Sequence, residues 1–317
     1  MGIIDVVGLK KYFPVKKGLL AKQEWLRAVD GIDFSVRKGS VFALVGESGS
    51  GKSTVARLIL RLTPPTSGNI FFQGKDILTL KKTSLREFRK SVQIIFQDPF
   101  ASLNPRMTVF NTISEPLKIH NLAKRSDLKE SVVNLLQSVG LQADVLNRYP
   151  HEFSGGQRQR ICIARALAVS PDVIIADEPL SALDVSIQAQ ILNILQGLKR
   201  ESNISFLFIS HELRVVQYFS DEIGVMYLGK IVEYAKTDEL FKNPLHPYTN
   251  VLLASAPKIK PDGVKKPVLK GDVPSPIHMP PGCPFHPRCP KRFEPCDKTV
   301  PELKEKNGRY ISCHLFA

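Results

Sequence analysis

Residues 46–53 read Gly-Glu-Ser-Gly-Ser-Gly-Lys-Ser, and the apolar run Val41-Phe42-Ala43-Leu44-Val45 stands directly before them. The stretch matches the phosphate-binding loop G-x-x-x-x-G-K-S, with a predicted strand before it and a predicted helix, Thr54–Leu62, after it. The glycines allow backbone N–H groups to converge on phosphate oxygens, and the N-terminus of the helix adds its positive end. The sequence therefore predicts a site for a nucleoside triphosphate.

Two side chains of this loop carry its specific chemistry. Lys52 is expected to reach the β- and γ-phosphates, and the Ser53 hydroxyl to ligate Mg²⁺. A chance Gly/Ser-rich loop is the alternative interpretation, and the correct strand and helix on either side argue against it. The residues of this segment that we assign to nucleotide binding are Gly46, Glu47, Ser48, Gly49, Ser50, Gly51, Lys52, Ser53 and Thr54.

The composition limits the classes of protein to which the chain can belong. Its 317 residues suffice for one large domain with an appendage or for two domains, and 43% hydrophobic residues allow a sizeable core. The formal net charge of +14 favours an anionic partner, although the lysines and arginines are scattered. The N-terminus has no basic segment followed by an apolar one, and no apolar run approaches the ~20 residues that span a bilayer. We therefore expect a soluble, cytoplasmic protein whose cysteines are reduced or bound to metal.

Four short apolar runs predict the strands of a parallel sheet covered by helices, because strands buried on both faces are apolar throughout. The runs are Val41–Val45, Val92–Phe96, Val173–Ala176 and Phe206–Ile209. They are followed, respectively, by the phosphate-binding loop, Gln97, Asp177-Glu178 and Ser210-His211. Ligands of open α/β sheets bind beyond the carboxyl ends of the strands, so the four runs together predict one site.

The segments around these strands predict the remaining elements. Leu128–Val139 has the apolar spacing of one helix face and is stopped by Gly140, so we interpret residues 100–169 as a helical subdomain inserted into the sheet. Asp5–Phe13 and Ala28–Val36 are predicted to be antiparallel strands at the N-terminal edge.

The composition changes at Pro257. Residues 257–282 are rich in proline and lysine, which predicts a linker or an extended segment, and residues 283–317 contain four of the five cysteines. We therefore predict a main domain over residues 1–250 and a C-terminal extension over residues 251–317. We expect the phosphate-binding loop to belong to a core that is separate from the cysteine-bearing tail.

Two carboxylates end the third apolar run and predict a hydrolytic reaction. Asp177 is expected to hold Mg²⁺, directly or through water, while Glu178 orients and polarises the attacking water. An Asp-Glu pair after a strand can also be a solvated turn, but the phosphate-binding loop elsewhere in the chain favours the catalytic interpretation.

A second anion-binding helix start is predicted near residue 154. The sequence Phe153-Ser154-Gly155-Gly156-Gln157-Arg158-Gln159-Arg160 precedes a helical run, Ile161–Val169. Ser154 is a good N-cap and the two glycines permit close backbone approach, so the N–H groups of this helix start suit an anion.

This segment resembles the Leu-Ser-Gly-Gly-Gln signature of ATP-binding cassette (ABC) ATPases, with Phe153 where Leu is usual. Further elements follow in the order of that family: Gln97 resembles its glutamine loop, Ser181-Ala182-Leu183-Asp184 its D-loop, and His211 its switch histidine. The resemblance covers residues 1 to about 250. It implies an α/β fold in which a P-loop ATPase core, with a mostly parallel sheet and N-terminal antiparallel strands, carries an inserted helical subdomain and a small cysteine-containing extension.

The resemblance also implies how ATP is bound and hydrolysed. In this family two cassettes dimerise head to tail, and ATP lies between the phosphate loop of one cassette and the signature helix of the other. His211 would contact the γ-phosphate, and Gln97 would couple Mg²⁺ and the attacking water to the transporter. The signature and D-loop residues assigned to nucleotide binding are Ser154, Gly155, Gly156, Gln157 and Asp184.

Two more assignments follow from the family. Mg²⁺ would be held by Ser53, Gln97 and Asp177. An aromatic side chain near the N-terminus would stack on adenine, and Tyr12 and Phe13 are the candidates. Counting from Leu9-Lys10-Lys11 favours Phe13, although either side chain can instead belong to the core.

Two further stretches resemble one branch of the family. Asn243-Pro244-Leu245-His246-Pro247-Tyr248-Thr249 resembles a hallmark of the ATPases of oligopeptide, dipeptide and nickel importers, although the sequence gives no physical reason for it. Residues 14–27, with Trp25, look like an insertion of the second of the two ATPase subunits in such importers. The resemblance implies a second ATPase subunit, identical or homologous, two transmembrane permease subunits and an extracytoplasmic peptide-binding protein. It places the chain at the cytoplasmic face of the cell membrane.

The tail carries Cys283, Cys289, Cys296 and Cys313, separated by 5, 6 and 16 residues, which is not zinc-finger spacing. Thiols in a reducing compartment still favour a metal. The peptide-importer family has the same element, associated with a [4Fe–4S] cluster in some members, so we expect this cluster; zinc and unligated thiols are the alternatives. A redox-sensing or partner-docking role of the tail would add to the ATPase. Cys162 is expected to be a small buried hydrophobe.

The net charge of +14 also suggests a second class, a soluble cassette ATPase that acts on nucleic acid or ribosomes. Such proteins usually carry tandem cassettes or a coiled-coil insertion, and the sequence shows neither. We therefore expect no nucleic-acid partner.

Overall fold

The structure is a computed structural model that describes residues 2–16, 18, 23–255 and 271–316. The strands of this part of the chain are β1 (Ile4–Val15), β2 (Glu24–Val36), β3 (Val41–Val45), β4 (Ser67–Phe72), β5 (Lys75–Asp76), β6 (Val92–Ile95), β7 (Val173–Asp177), β8 (Ser205–Ile209), β9 (Glu222–Tyr227), β10 (Lys230–Lys236), β11 (Lys304–Lys306) and β12 (Arg309–Ile311).

The helices run between and after these strands. They are α1 (Lys52–Ile59), α2 (Lys82–Ser91), α3 (Pro99–Ser102), α4 (Val109–Ile119), α5 (Leu128–Ser138), α6 (Gly155–Leu167), α7 (Val185–Ser202), α8 (Leu213–Phe219), α9 (Thr237–Lys242) and α10 (Pro247–Ser255). None of these helices is long and apolar enough to cross a membrane.

The chain divides into two compact units. The first comprises Met1–Arg37, Val41–Leu78 and Ser210–Ala317, and the second comprises Lys38–Ser40 and Thr79–Ile209. The first unit contains the phosphate-binding loop and the cysteine-bearing tail together, so the expectation that these two features belong to separate cores was wrong. The predicted boundaries at residues 250 and 100–169 stay predictions.

The first unit contains two arrays of strands. An antiparallel sheet has the order β2-β1-β4-β5, with Ile4 opposite both Val36 and Phe72. The second array has the order β11-β12-β10-β9-β3, in which β3 and β9 are parallel and the remaining pairs are antiparallel. The predicted antiparallel strands at the N-terminus are therefore confirmed.

The second unit contains the parallel strands β8, β7 and β6 in that order. Every residue of β7 and β8 is buried, as is every residue of β3 in the first unit. Three of the four apolar runs are therefore confirmed as buried strands, because only a sheet covered on both faces removes consecutive apolar side chains from water. In β6 only Val92 and Ile95 are buried, and Phe96, the last residue of that run, is 36% exposed and lies beyond the strand. The predicted α/β class is confirmed.

The helix predicted over Leu128–Val139 is present as α5. Helix α5 buries Leu128, Val132 and Leu136 along one face. It is stopped by Gly140, whose φ of 74° is in the left-handed region and whose N–H donates to the carbonyl of Gln137 at 2.9 Å.

Two stretches that the sequence singled out lie partly outside the described residues. They are residues 257–270 of the predicted linker, and residues 17 and 19–22 of the 14–27 segment. The described ends of the 14–27 segment belong to β1 and β2, where Pro14 lies opposite Trp25.

A buried ion pair joins the last strand of the tail, β12, to β10 within the first unit. The Arg309 guanidinium donates to the Glu233 carboxylate at 2.6 Å, and the Glu233 side chain is 0% exposed. The same carboxylate accepts the backbone N–H groups of Leu245 and His246, both at 2.9 Å. Glu233 therefore links β10, β12 and the segment that leads into α10.

Arg309→Met should destabilise the protein by about 3–5 kcal/mol, because it leaves Glu233 charged, buried and short of its cation. Thermal unfolding followed by circular dichroism measures the effect. Glu233→Gln combined with Arg309→Met should recover much of the loss, since no buried charge then remains. Lys304→Met, at an exposed position of β11, is the matched control, and equal melting temperatures for Lys304→Met and Arg309→Met would contradict the assigned pair.

Candidate nucleotide-binding and hydrolytic site

Two glycines give the phosphate-binding loop its shape. Gly46 and Gly51 have φ angles of 154° and 107°, in the region that side chains disfavour. A Cβ at Gly46 would lie 2.1 Å from the carbonyl oxygen of Met226, and one at Gly51 would lie 2.0 Å from that of Ala28. The loop is thus wedged against the backbone of β9 and β2, and no other residue fits at either position.

The loop lysine is held inside this turn. Lys52 begins α1, is 4% exposed, and donates from Nζ to the carbonyl oxygens of Gly46 at 2.8 Å and Glu47 at 3.0 Å. An ammonium group surrounded by carbonyl oxygens is a cation that phosphate oxygens can share. The helix predicted over Thr54–Leu62 therefore begins two residues earlier, at Lys52, and ends at Ile59.

The second residue of the loop has partners that the sequence did not indicate. The N–H of Glu47 donates to the hydroxyl of Tyr248 at 2.9 Å, and the Glu47 carboxylate forms an ion pair with Arg288. Tyr248 belongs to the Asn243–Thr249 stretch, so the structure supplies the physical reason that the sequence lacked. The pattern of that stretch marked it as important; only the fold shows what its tyrosine contacts.

His211 lies in the same unit as the phosphate-binding loop. The neighbouring Ser210 is 7% exposed, and its N–H donates to the carbonyl of Leu44, near the end of β3, at 3.3 Å. The Ser210 hydroxyl accepts the N–H of Glu212 at 3.0 Å and fixes the turn that carries His211. His211 is exposed. The end of β3, from which the loop starts, and the histidine are therefore brought close in the fold.

The two candidate adenine-binding aromatics have different surroundings. The Tyr12 hydroxyl donates to the Asp30 carboxylate, and burial together with this hydrogen bond raises the pKa of Tyr12 to about 12. Asp30 also forms an ion pair with Lys230 at 3.0 Å. Phe13 is half-buried and lies beneath the Lys11 ammonium, 4.9 Å from the ring centre. Tyr12 is therefore tied to a polar network, whereas Phe13 has no such tie among the contacts of the described residues.

The second unit brings together the predicted hydrolytic residues. Asp177 ends β7 and is 6% exposed, and Glu178 follows it. Gln97, which follows β6, donates from Nε2 to a Glu178 carboxylate oxygen at 3.1 Å. The predicted meeting of strand ends is thus seen for these residues.

The backbone of Glu178 is unusual. Its φ of 47° lies in the left-handed region, where a residue with a long side chain is uncommon. The N–H of Glu178 donates to the carbonyl of Ile209 at 2.9 Å, and its own carbonyl accepts from the Ser181 hydroxyl at 3.1 Å. A strained backbone held by its neighbours on both sides is characteristic of a functional position.

The signature segment forms the predicted capped helix. Ser154 is the N-cap of α6: its hydroxyl accepts the N–H of Gln157 at 3.4 Å, and the Gln157 amide oxygen accepts the N–H of Ser154 at 3.1 Å. A Cβ at Gly156 would lie 2.4 Å from a methyl carbon of Ile187 in α7. The glycine is thus required by close packing as well as by any ligand.

The D-loop residue Asp184 is the N-cap residue of α7 and is exposed. The next residue, Val185, is 81% exposed, which is unusual for an apolar side chain at the start of a long helix. This end of α7 therefore presents both a carboxylate and an apolar group to the surroundings.

The four cysteines of the tail line one pocket, together with His246, His286 and His314. Burial and, to a smaller extent, the nearby thiols of Cys313, Cys296 and Cys289 raise the pKa of Cys283 to about 11. Burial also raises the pKa of Cys289 and Cys313.

In the described part of the chain, however, no three His, Cys, Asp or Glu side chains are placed to hold a metal ion. His286 and His314 each form a hydrogen bond to a backbone carbonyl oxygen. The Nδ1 of His286 lies 3.0 Å from the oxygen of Cys283, and the Nε2 of His314 lies 2.8 Å from that of Thr299. Cys162 is 2% exposed within α6, as predicted.

Comparison with known proteins identifies the family. Residues 29–181 match the family ABC transporter, and residues 232–296 match the C-terminal region of the oligopeptide/dipeptide transporter family. Oligopeptide transport ATP-binding protein AppF of Bacillus subtilis (strain 168) is 51% identical over 99% of this chain and 98% of its own length. The chain belongs to the ABC transporter family, in its oligopeptide/dipeptide branch.

Other comparisons agree with this assignment. Dipeptide transport ATP-binding protein DppF of Escherichia coli (strain K12) is 45% identical over 98% of this chain and 93% of its own length. The dimeric, post-hydrolysis structure of the ATP-binding cassette MJ0796 with ADP and Pi has a TM-score of 0.66 and 25% identity, and covers 74% of this chain and 98% of its own. This ABC protein is therefore an ATPase that powers a peptide transporter.

Lys52→Ala and Glu178→Gln should separate ATP binding from ATP hydrolysis. The first removes the cation predicted to bind the β- and γ-phosphates and should weaken ATP binding. The second removes the carboxylate predicted to activate water and should slow turnover by roughly 100-fold or more while ATP stays bound. Equilibrium binding of radiolabelled ATP and release of phosphate measure the two effects.

Lys82→Ala, at an exposed position of α2, is the control for loss of a positive charge. ATP affinity and turnover that stay at wild-type values in Lys52→Ala would remove the loop from its assigned role. Wild-type turnover in Glu178→Gln would remove Glu178 from the role of activating the water.

Proposed function

We propose that this ABC ATPase is one of two cassettes that power the import of oligopeptides or dipeptides. The observation that carries the proposal is that one chain joins an ATP-binding cassette to the C-terminal region of peptide transporters, and that Tyr248 of this region contacts the phosphate-binding loop. The names of AppF and DppF, which specify oligopeptide and dipeptide transport, support the same class of solute.

The residues of the first unit bind the nucleotide. The backbone N–H groups of the loop and the Lys52 ammonium hold the phosphates, and His211 contacts the γ-phosphate. Phe13 stacks on adenine, a role supported by its freedom from the network that engages Tyr12. A hydroxyl in this unit, that of Ser53, contributes to Mg²⁺ binding.

The residues of the second unit carry out hydrolysis. Glu178 orients the attacking water and accepts its proton, and the hydrogen bond from Gln97 holds the carboxylate in place. The amide oxygen of Gln97 and the carboxylate oxygens of Asp177, both in this unit, are ligands that Mg²⁺ accepts. The ion, when bound, supplies positive charge to the β- and γ-phosphates.

A second cassette completes the site. Ser154, Gly155, Gly156 and Gln157 serve the γ-phosphate of the partner's nucleotide, and Asp184 lies in the same interface. The capped N-terminus of α6 offers an anion its backbone N–H groups, and the 81% exposure of Val185 supports an interface at the start of α7. The second cassette is either another copy of this chain or a homologue, and mixing variants of this chain distinguishes the two.

The permease subunits dock near the glutamine loop. Phe96 and Phe100, on either side of Gln97, are 36% and 60% exposed, so an apolar contact is available beside the residue that touches Glu178. Docking on a transmembrane partner would place the chain at the cytoplasmic face of the cell membrane as a peripheral subunit. A peptide-binding protein on the opposite side would deliver the solute.

The tail holds a [4Fe–4S] cluster in this proposal. The four thiols line one pocket, which supports their proximity. A cubane takes one thiolate at each of its irons, and the tail offers one cysteine for each.

Ser154→Arg should abolish both ATP hydrolysis and peptide uptake while leaving ATP binding to the same chain's phosphate loop. The new side chain would occupy the space of the partner's γ-phosphate. In cells that lack this chain, wild type should restore uptake of a labelled dipeptide, and Ser154→Arg should not. Restored uptake of nickel without uptake of peptides would contradict the assigned solute.

Mixing variants tests the shared site. A dimer of one Lys52→Ala chain and one Ser154→Arg chain has one composite site free of both changes, so the mixture should recover part of the hydrolysis that each variant lacks. Normal ATP hydrolysis by the pure Ser154→Arg variant would contradict the model in which ATP lies between two cassettes. Recovery in this mixture alone would show that two copies of this chain can pair.

Anaerobically purified protein should be brown and contain iron and sulfide. Metal and sulfide analysis measures the content, and visible absorbance should bleach on oxidation. Cys162→Ser, outside the pocket, should keep the colour, whereas Cys296→Ser should lose it. One equivalent of zinc without iron would contradict the cluster, and the absence of both metals would favour free thiols.

A further inference from the structure

The phosphate-binding loop of this cassette contains an acidic residue, Glu47, at its second position. The loop must receive a polyanion, and a carboxylate beside the phosphates opposes that binding by charge repulsion. The side chain of Glu47 is 25% exposed, so water screens its charge only in part. Something other than solvent is needed to neutralise this residue when the nucleotide is present.

Arg288, from the tail, supplies the neutralising charge. Its two terminal nitrogens donate to the two carboxylate oxygens of Glu47 at 2.7 and 3.1 Å, a bidentate pair. The Arg288 side chain is 7% exposed, and the hydrogen bond to Glu47 raises the pKa of Arg288. The guanidinium is therefore shielded from water and stays charged.

The backbone of Glu47 is held as well. Its N–H donates to the Tyr248 hydroxyl at 2.9 Å, and the Tyr248 ring packs against Tyr227 and Phe285 at centroid distances of 4.7 and 5.4 Å. Residue 47 is thus fixed at its backbone by α10 and at its side chain by the tail. Both contacts come from the C-terminal part of the first unit.

The segment that carries Arg288 is built around the cysteines. Arg288 ends a short turn that begins at His286 and lies between Cys283 and Cys289. The Arg288 N–H donates to Phe285 at 3.0 Å, and the Cys283 N–H donates to the Cys296 carbonyl at 2.8 Å. The turn that positions the guanidinium is therefore connected through the backbone to Cys283, Cys289 and Cys296.

We propose that Arg288 is a positioning residue for ATP binding, and that the cysteine-bearing turn controls the phosphate-binding loop through the contact between Arg288 and Glu47. With Arg288 in place, the charge of Glu47 is neutralised, and the Lys52 ammonium in the loop remains to attract phosphate. With the turn displaced, the Glu47 carboxylate is uncompensated and repels the nucleotide. This inference rests on the proposed function of the loop as the ATP site.

Arg288→Met should raise the dissociation constant for a non-hydrolysable ATP analogue with Mg²⁺ by roughly 10-fold, as an uncompensated charge near the phosphates requires. The penalty should be smaller for ADP and smallest for AMP, because it scales with phosphate charge. A general collapse of the site would weaken all three nucleotides alike. Arg292→Met, an exposed position in the same segment, is the matched control.

Glu47→Gln should act in the opposite direction and tighten ATP binding, since it removes the repelling charge and leaves the guanidinium. Glu47→Gln combined with Arg288→Met should recover most of the affinity for ATP that Arg288→Met loses. Arg288→Lys should bind ATP with an affinity between those of wild type and Arg288→Met, because lysine keeps the positive charge but cannot make the bidentate contact. If Arg288→Met fails to fold, the Glu47→Gln and Arg288→Lys variants still decide the sign. Weaker ATP binding in Glu47→Gln would overturn the inference.

The link to the cysteines is tested in the same titration. Cys289→Ser should weaken ATP binding in the wild-type background and have little additional effect in the Arg288→Met background. Additive losses would overturn the proposed route through Arg288. A wild-type chain that binds no ATP would refute the proposed function itself, whereas ATP binding that is identical in wild type and Arg288→Met would refute only this inference.

Discussion

The structure depends on a loop that must hold a polyanion with its backbone. Such a loop needs left-handed turns and close walls, and Gly46 and Gly51 meet both needs because their α-carbons face the carbonyls of Met226 and Ala28. The walls belong to β9 and β2, so the loop has its shape only when both sheets of the first unit have formed. The fully buried strand β3 then fixes where the loop begins.

The C-terminal part of the chain extends this constraint. The Glu233 carboxylate accepts hydrogen bonds from the N–H groups of Leu245 and His246 and from the Arg309 guanidinium. These bonds fix the segment that leads into α10. Burial lowers the pKa of His246 to about 3, which keeps its ring neutral and able to accept the N–H of Tyr248 at 3.0 Å. Tyr248 thereby reaches the loop. A peptide-transporter extension is thus part of the structure that supports the nucleotide site.

The residue proposed to activate water, Glu178, is positioned by backbone strain and hydrogen bonds. Glu178 stands in a left-handed conformation at the end of a buried strand, where hydrogen bonds to Ile209 and Ser181 hold its backbone and Gln97 holds its carboxylate. A long side chain in this conformation costs free energy that the surrounding packing supplies. The residue is held in place before any nucleotide or water arrives, as catalysis by orientation requires.

The sequence by itself determined the buried strands, the phosphate-binding loop, the cap of α6 and the carboxylates after β7. Each of these depends on local chemistry: an apolar run, a glycine spacing or an N-cap, all visible within a few residues. It also marked Asn243–Thr249 and the four cysteines as significant without giving the reason. Only the tertiary structure decided that Tyr248 and Arg288 meet Glu47 and that the tail shares a unit with the loop. These contacts join residues 201 and 241 positions apart, and no local pattern encodes a pairing that depends on how the whole chain folds back on itself.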